Sequence, residues 1–414
     1  MRFVNLSVSR YIIATGILAL LCSLTPVQGQ PETPSYVSSI SWSPDADVFA
    51  FTVASLNFPC AQPLEFYAIR VVDAASNSIV REFQHINCSV YGVDFSTDGN
   101  RLASTGSGGF TYAWNLITDE PEPASGAFFP FYAVAWQPNG INLLKVDSNG
   151  IAVYTPSHLP EYTGGWVSPT AVDADLTDAT WSPDGLLAAA TSTDGNVFIG
   201  NALRFNDTIT TFPLHESVVL TIDWNPNGQL IASGDASGNI LVWAASDGSV
   251  QRRLTGHVGA VNHVEWNADG QTLVSAGADG TVRTWDVNTG TQVTLQDTGV
   301  PLWAAAYSAY GGRIAFGGLL PDDLTSASEL LDTASQFGIQ TVVPDPTLER
   351  LHSIAALCDA PLTVTDAIPQ VEQPAALTDF VAQVTALPEG TIPPACAADL
   401  IAVAGAMAEA ISAE

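Results

Sequence analysis

The chain has 414 residues, 47% of them hydrophobic, and carries 42 Asp and Glu against 12 Lys and Arg, for a net charge of −30. That is ample apolar material for a large core, and so acidic a surface repels phosphate backbones and anionic lipids, which argues against nucleic acid as a partner. The acidity reads first as solubility in an extracytoplasmic medium, because the acids are spread along the whole chain, and second as attraction for cations or basic partners.

Residues 1–29 have the layout of a secretory signal peptide. Arg2 and Arg10 form a positive head, Tyr11 to Leu24 are mostly apolar, and Val27-Gln28-Gly29 offers small residues for cleavage. The apolar run is short for a bilayer span. Leu21 before Cys22 is too large for a lipobox, so lipidation is not expected. No later segment reads as a membrane span. The expected product is secreted or held in the cell envelope.

From residue 30 to 344 the chain repeats. Seven aromatic anchors, Trp42, Phe95, Trp136, Trp181, Trp224, Trp266 and Tyr307, are each followed by a polar turn such as Ser-Pro-Asp-Gly or Asn-Ala-Asp-Gly. They are spaced 41–53 residues apart. A period near forty with strand-turn-strand patterning predicts an all-β, seven-bladed propeller of four-stranded antiparallel blades. In the fullest repeat, Val261 to Trp266 alternates as an inner strand, and Asp-Gly turns at Asp269-Gly270 and Asp279-Gly280 punctuate the strands that follow.

Gly256-His257, Ser275, Asp279 and Trp285-Asp286 in this repeat resemble the WD-repeat (WD40) propeller family. The resemblance implies that His257, Ser275, Asp279 and Trp285 hydrogen-bond together and pin the blade, since buried polar groups must satisfy one another. Repeat five keeps His215, Ser233 and Trp243, with Ser237 at the Asp position. Repeat two keeps Ser104 and Trp114, with Gly108 at the Asp position. Repeat four keeps Asp194 but has Ala190 and Gly200 at two others, and repeats one, three and seven have lost most of the set.

In repeat one, Val72-Asp73 takes the Trp-Asp position after a long loop. In repeat seven, Leu331-Asp332 is expected to do the same, with Leu319 to Asp323 as extra loop. Both terminal blades then hold four strands of their own. Gln30 to Tyr36, with two prolines, is a poor strand, so closure without a swapped strand is expected. The register places Cys60 and Cys88 in loops on one face, which suits a Cys60–Cys88 disulfide and leaves Cys358 to pair with Cys396.

Residues 345–414 change period. Asp345-Pro346 starts a helix with Leu348, Leu351, Ile354 and Cys358 on one face. Leu377, Phe380, Val384 and Leu387 form a second stripe, and Cys396, Leu400, Val403, Met407 and Ile411 a third. Three short helices with one disulfide read as a brace on the propeller, or else as a docking or dimerisation element.

No catalytic constellation emerges. His257, Ser275 and Asp279 have the residue types of a hydrolase triad, but the repeat register accounts for them. The six histidines are scattered, without metal-ligand spacing. Asp173, Asp175 and Asp178 lack the glycine and closing glutamate of a calcium loop and read as solvated. No metal and no cofactor are expected, and the chain is not expected to be an enzyme.

Four residues before each anchor the chain enters the innermost strand at the mouth of the central channel. That ring reads Ser38, Tyr91, Tyr132, Thr177, Leu220, Asn262 and Trp303. In WD-repeat proteins this ring often contacts the partner. Three aromatics around one opening suit recognition of a protein or peptide; packing where the blades taper would also explain them. An exported, non-catalytic interaction scaffold is the first reading. A glycan-binding or hydrolytic propeller is the alternative, and a purely structural repeat module is a third.

Overall fold

The structure is a computed structural model. It describes residues 35–55, 68–84, 89–126, 131–138, 140–147, 150–156, 162–167, 174–204, 209–320, 339–360, 362–365, 367–369, 373–388 and 390–413. Seven antiparallel meander sheets follow one another along the chain. The inner strands are Ser35–Trp42, Val90–Phe95, Ala133–Trp136, Leu176–Trp181, Val219–Trp224, Val261–Trp266 and Leu302–Tyr307 for blades one to seven. Six blades have four strands; among the described residues blade seven has three.

The repeat builds the blade for local reasons. Each anchor is buried at the far end of its inner strand. The polar residue after it organises the turn: Ser182 Oγ accepts the Leu187 N–H at 2.9 Å and donates to Asp184 at 2.6 Å. Gly185 then turns the chain at φ 69°, a left-handed conformation costly to residues with a Cβ. Large side chains such as Trp243, Trp285, Phe49 and Phe198 are wholly buried in the sheets and between them, and this apolar burial supplies the main favourable term of folding.

Blade seven departs from the expected register. Ile314 lies opposite Tyr307 and Val342, as Leu273 lies opposite Trp266 and Trp285 in blade six. Val342, not Leu331, therefore holds the Trp position. Leu331 and Asp332 fall outside the described residues. The inserted segment is longer than expected, and Gln340–Val342 is the third strand rather than the fourth. At the other end of the ring, Ser35 and Tyr36 open the inner strand of blade one, where a poor strand was expected. Tyr36 also bridges Leu319, and Leu320 N–H donates to Ser35 O at 3.0 Å, so blades one and seven meet directly. Residues 30–34 lie outside the described residues.

Four helices follow: α1 (Leu348–Leu357), α2 (Leu362–Thr365), α3 (Pro374–Thr385) and α4 (Pro394–Ala413). The short α2 was not anticipated. Leu351, Ile354, Leu377, Phe380, Val384, Leu400, Val403 and Met407 form the module's own core. The Cys358–Cys396 disulfide is present, with Cα atoms 6.1 Å apart; Cys60 and Cys88 lie outside the described residues.

The sequence reading of no later membrane-length segment needs correction, because α4 is long and apolar enough by length and composition to cross a membrane. In the fold it buries Asp399, Leu400 and Val403 and carries one half of the disulfide. Its apolar content is what a core helix needs.

The module sits at the turns between first and second strands. Asp399 accepts from Arg313 Nε at 3.0 Å and Ser308 Oγ at 2.8 Å, both in that turn of blade seven. Arg350 reaches Asp269 Oδ2 at 2.9 Å and Asn267 Oδ1 at 3.1 Å in blade six. The ring residues lie at the opposite ends of the inner strands, so the module leaves their face open.

Candidate functional site: the channel and its mouth

Ser38, Tyr91, Leu220, Asn262 and Trp303 each fall between the paired residues of a β-bulge in their inner strand, as does Thr177 together with Asp178. Tyr132 directly precedes its strand. A bulge adds one unpaired residue and re-aims its side chain. All seven side chains are partly exposed. That common position is what a four-residue offset from the anchors implies.

The seven divide by chemistry. Ser38 donates to Val90 O at 2.5 Å, Thr177 to Val219 O at 2.6 Å, and Asn262 Nδ2 to Leu302 O at 2.7 Å. Each acceptor is the residue just before the ring position of the next blade. These three polar residues thus stitch blades together. The aromatics group at two places: Tyr91 and Tyr132 have ring centroids 6.2 Å apart, and Trp303 packs on Tyr36 at 4.6 Å.

Below the mouth lies a set of carboxylates that the repeat pattern did not single out as a site. An innermost strand has an unpaired edge, and its N–H groups need acceptors. Side chains of the preceding blade supply them. Asp94 Oδ2 accepts from Trp136 N and Asp223 Oδ2 from Trp266 N, both at 2.7 Å. Glu265 accepts from Tyr307 N at 3.0 Å, and Ser41 from Phe95 N at 3.2 Å. Asp178 accepts from Ile222 N at 3.0 Å. Where the residue before the anchor is alanine, the next indole uses its carbonyl instead: Trp42 Nε1 to Ala306 O at 3.0 Å, Trp181 Nε1 to Ala135 O at 3.1 Å.

Enclosure by protein pushes these carboxyls toward their neutral forms. Burial raises Asp94 and Asp223 to about 7 and Asp178 to about 6. Glu265 is raised well above the usual range, by burial first and then by the charges of Asp223 and Asp94. Burial also pushes the neighbouring His263 down to about 4. Asp178 therefore belongs to the channel rather than to a solvated loop; Asp173 is outside the described residues. Among the described residues no group of three or more His, Cys, Asp or Glu side chains is placed to hold a metal ion.

In blade six the pinning set forms as the resemblance implies, whereas in blade two Ser104 Oγ is buried without a hydrogen-bond partner among the described residues. His257 Nε2 meets Ser275 Oγ at 2.7 Å, its Nδ1 meets Asp279 at 3.0 Å, and Trp285 Nε1 donates to Ser275 at 2.8 Å. In blade five His215 and Trp243 converge on Ser233 at 2.7 and 3.1 Å. The fourth member there is Asp235, 3.0 Å from His215 Nδ1; it lies two residues before Ser237, the position assigned from sequence. The Ser275 and Ser233 hydroxyls are committed within the blades, as a structural role requires.

Blade three uses different chemistry. Leu143 lies opposite Trp136 and Tyr154, which puts Tyr154 at the Trp position and Lys145 at the Ser position. Lys145, the sole lysine of the chain, is wholly buried. Its ammonium lies 4.1 Å from the Phe131 ring centroid and 4.8 Å from that of Tyr154. Cation–π attraction offsets part of its desolvation, and burial still lowers its pKa to about 8.

The family model for the WD domain, G-beta repeat (WD40), matches residues 77–115, 206–244 and 248–286. Each match runs from the outer strand of one blade through the third strand of the next. With its seven meander blades, the chain is a WD40-repeat β-propeller bearing a C-terminal helical module. Such propellers generally act as protein-interaction scaffolds. The chain is similar to the Protein LST8 homolog of Drosophila melanogaster, at 26% identity over 207 residues. That stretch is 46% of this chain and 63% of the relative, so the similarity spans less than two thirds of the relative's length.

Proposed function

We propose that this protein is an exported, non-catalytic scaffold whose channel-mouth face binds a protein segment carrying basic side chains around an apolar anchor. The observation that carries the reading is the placement of Tyr91, Tyr132 and Trp303, partly exposed at one mouth of the channel, on the face the module leaves open. Aromatics give large contact area at low entropic cost. Asp175, Glu216 and Asp297 lie toward the same end of the blades, and the net charge of −30 adds long-range attraction for a cationic partner. The leader pattern of residues 1–29 and the Cys358–Cys396 disulfide support an oxidising, extracytoplasmic setting.

The test is a peptide array with one apolar residue flanked by basic, neutral or acidic residues. Wild-type protein is expected to retain basic-flanked peptides most strongly. Trp303→Ala and Tyr132→Ala are expected to weaken that retention strongly, with smaller effects on folding. Equal retention of all three peptide classes, or unchanged retention by both variants, would refute the reading.

A further inference from the structure

The last blade poses a mechanical problem. A propeller closes where its last blade meets its first, and among the described residues blade seven lacks a fourth strand. At the ring-face end the junction is held by the Tyr36–Leu319 bridge and the Leu320-to-Ser35 hydrogen bond. At the other end it is held by helices.

Three blades are gripped there at once. Arg313 of blade seven is ion-paired with Asp47 of blade one and with Asp399 of α4, and its guanidinium lies 5.1 Å from the Trp42 ring centroid. Ala395 of α4 donates its N–H to Asp45 O of blade one at 3.3 Å. From α1, Arg350 binds Asp269 and Asn267 of blade six and Tyr310 O of blade seven at 3.0 Å. Arg350, Arg313 and Asp399 are nearly or wholly buried.

The turn of blade seven is shaped for this grip. A Cβ on Gly311 would lie 2.1 Å from Arg350 Nη2, and one on Gly312 would lie 2.7 Å from Asp399 Cβ. Adjacent glycines thus admit both arms of the module. The arms are joined covalently: Cys358 caps α1 and Cys396 lies in the first turn of α4.

We propose that the C-terminal module is a clasp that shuts the ring between blades seven and one, its two arms held together by the Cys358–Cys396 disulfide. The clasp accounts for burying Arg350, Arg313 and Asp399 where apolar packing would cost less, because paired charges fix one docking geometry.

Amide hydrogen exchange on the full chain tests this. Two variants are compared with wild type: Asp399→Asn, and the double variant Cys358→Ser with Cys396→Ser. Exchange should quicken about tenfold or more at Tyr36–Val37 and Ala315–Gly318, and stay within about twofold at Leu187–Ser192 of blade four. A uniform rise across all blades would overturn the proposal, since the module would then support the whole fold. Faster exchange confined to the helices would also overturn it, because the module would be a passenger. Should Asp399→Asn fail to fold, Arg350→Gln loosens only the arm on blades six and seven, and the same comparison applies.

Discussion

The carboxylate of Asp94 accepts the backbone N–H of Trp136 at 2.7 Å, across the junction between blades two and three. Asp223 with Trp266 and Glu265 with Tyr307 repeat the relation three and four junctions on. An acidic side chain placed one residue before an anchor therefore acts on the following blade. It satisfies a strand edge that would otherwise face the channel unpaired, at the cost of enclosing a charge.

That cost sets a pH dependence. Asp94, Asp178 and Asp223 have folded-state values raised to about 6–7, above those of an unfolded chain. The native state thus binds more protons, and stability falls as pH rises through the folded values. His263, held neutral to about 4, works the other way below its unfolded value. The clearest window is therefore about pH 6.5 to about pH 8. Acidifying across it should raise Tm by about 1–2 °C, on the order of 1 kcal/mol. Thermal melts should show this slope in wild type and a flatter one in the Asp94→Asn, Asp223→Asn double variant.

The mouth should divide by function. Ser38→Ala, Thr177→Val and Asn262→Leu each remove an inter-blade hydrogen bond, so each should lower stability by about 1 kcal/mol or more. Peptide retention should be little changed. Tyr91→Ala and Trp303→Ala should weaken retention with smaller effects on folding. Melting and retention measured on the same preparations check the split.

In blade six, Ser275 serves two partners at once. Ser275→Ala would leave the Trp285 indole N–H and His257 Nε2 buried without it, at a cost of about 2–4 kcal/mol. Ser308→Ala removes one donor to Asp399, which keeps Arg313, and also the acceptor of the buried Arg313 backbone N–H, so it should cost about as much. Urea unfolding of the two variants compares them.

Lys145 is better replaced by shape than by charge. Lys145→Met keeps most of the volume and removes a desolvated ammonium, so stability should stay within about 1 kcal/mol of wild type. Lys145→Ala opens a cavity and should cost about 2–4 kcal/mol. Denaturant midpoints at neutral pH distinguish the two.

Much of this fold was legible because the anchors recur with their turns. An aromatic residue followed by Ser-Pro-Asp-Gly carries both the buried plug and the turn chemistry, so blade number follows from spacing. The bulge positions were legible by the same offset. Asp94, Asp223 and Glu265 carried a weaker signal: an acid beside the anchor reads as the exposed phase of an alternating strand, when it faces the next blade. Asp235 was missed because the hydrogen-bonded set tolerates a carboxylate arriving from two residues upstream. The third strand of blade seven was misplaced because Leu330-Leu331-Asp332 imitates a Val-Trp-Asp terminus, while Gln340–Val342 is too short to announce itself. The grip of Arg350 and Asp399 has no local pattern at all, since it joins residues forty or more positions apart.

The buried Lys145 also fixes how this chain can be handled chemically. It is the sole lysine and it is wholly enclosed. Amine-directed reagents should find no lysine target on the folded surface, and their attachment at this residue should mark only molecules whose third blade has opened. A label at that one position would then count unfolding events, and surface immobilisation through lysine would select damaged protein over intact protein.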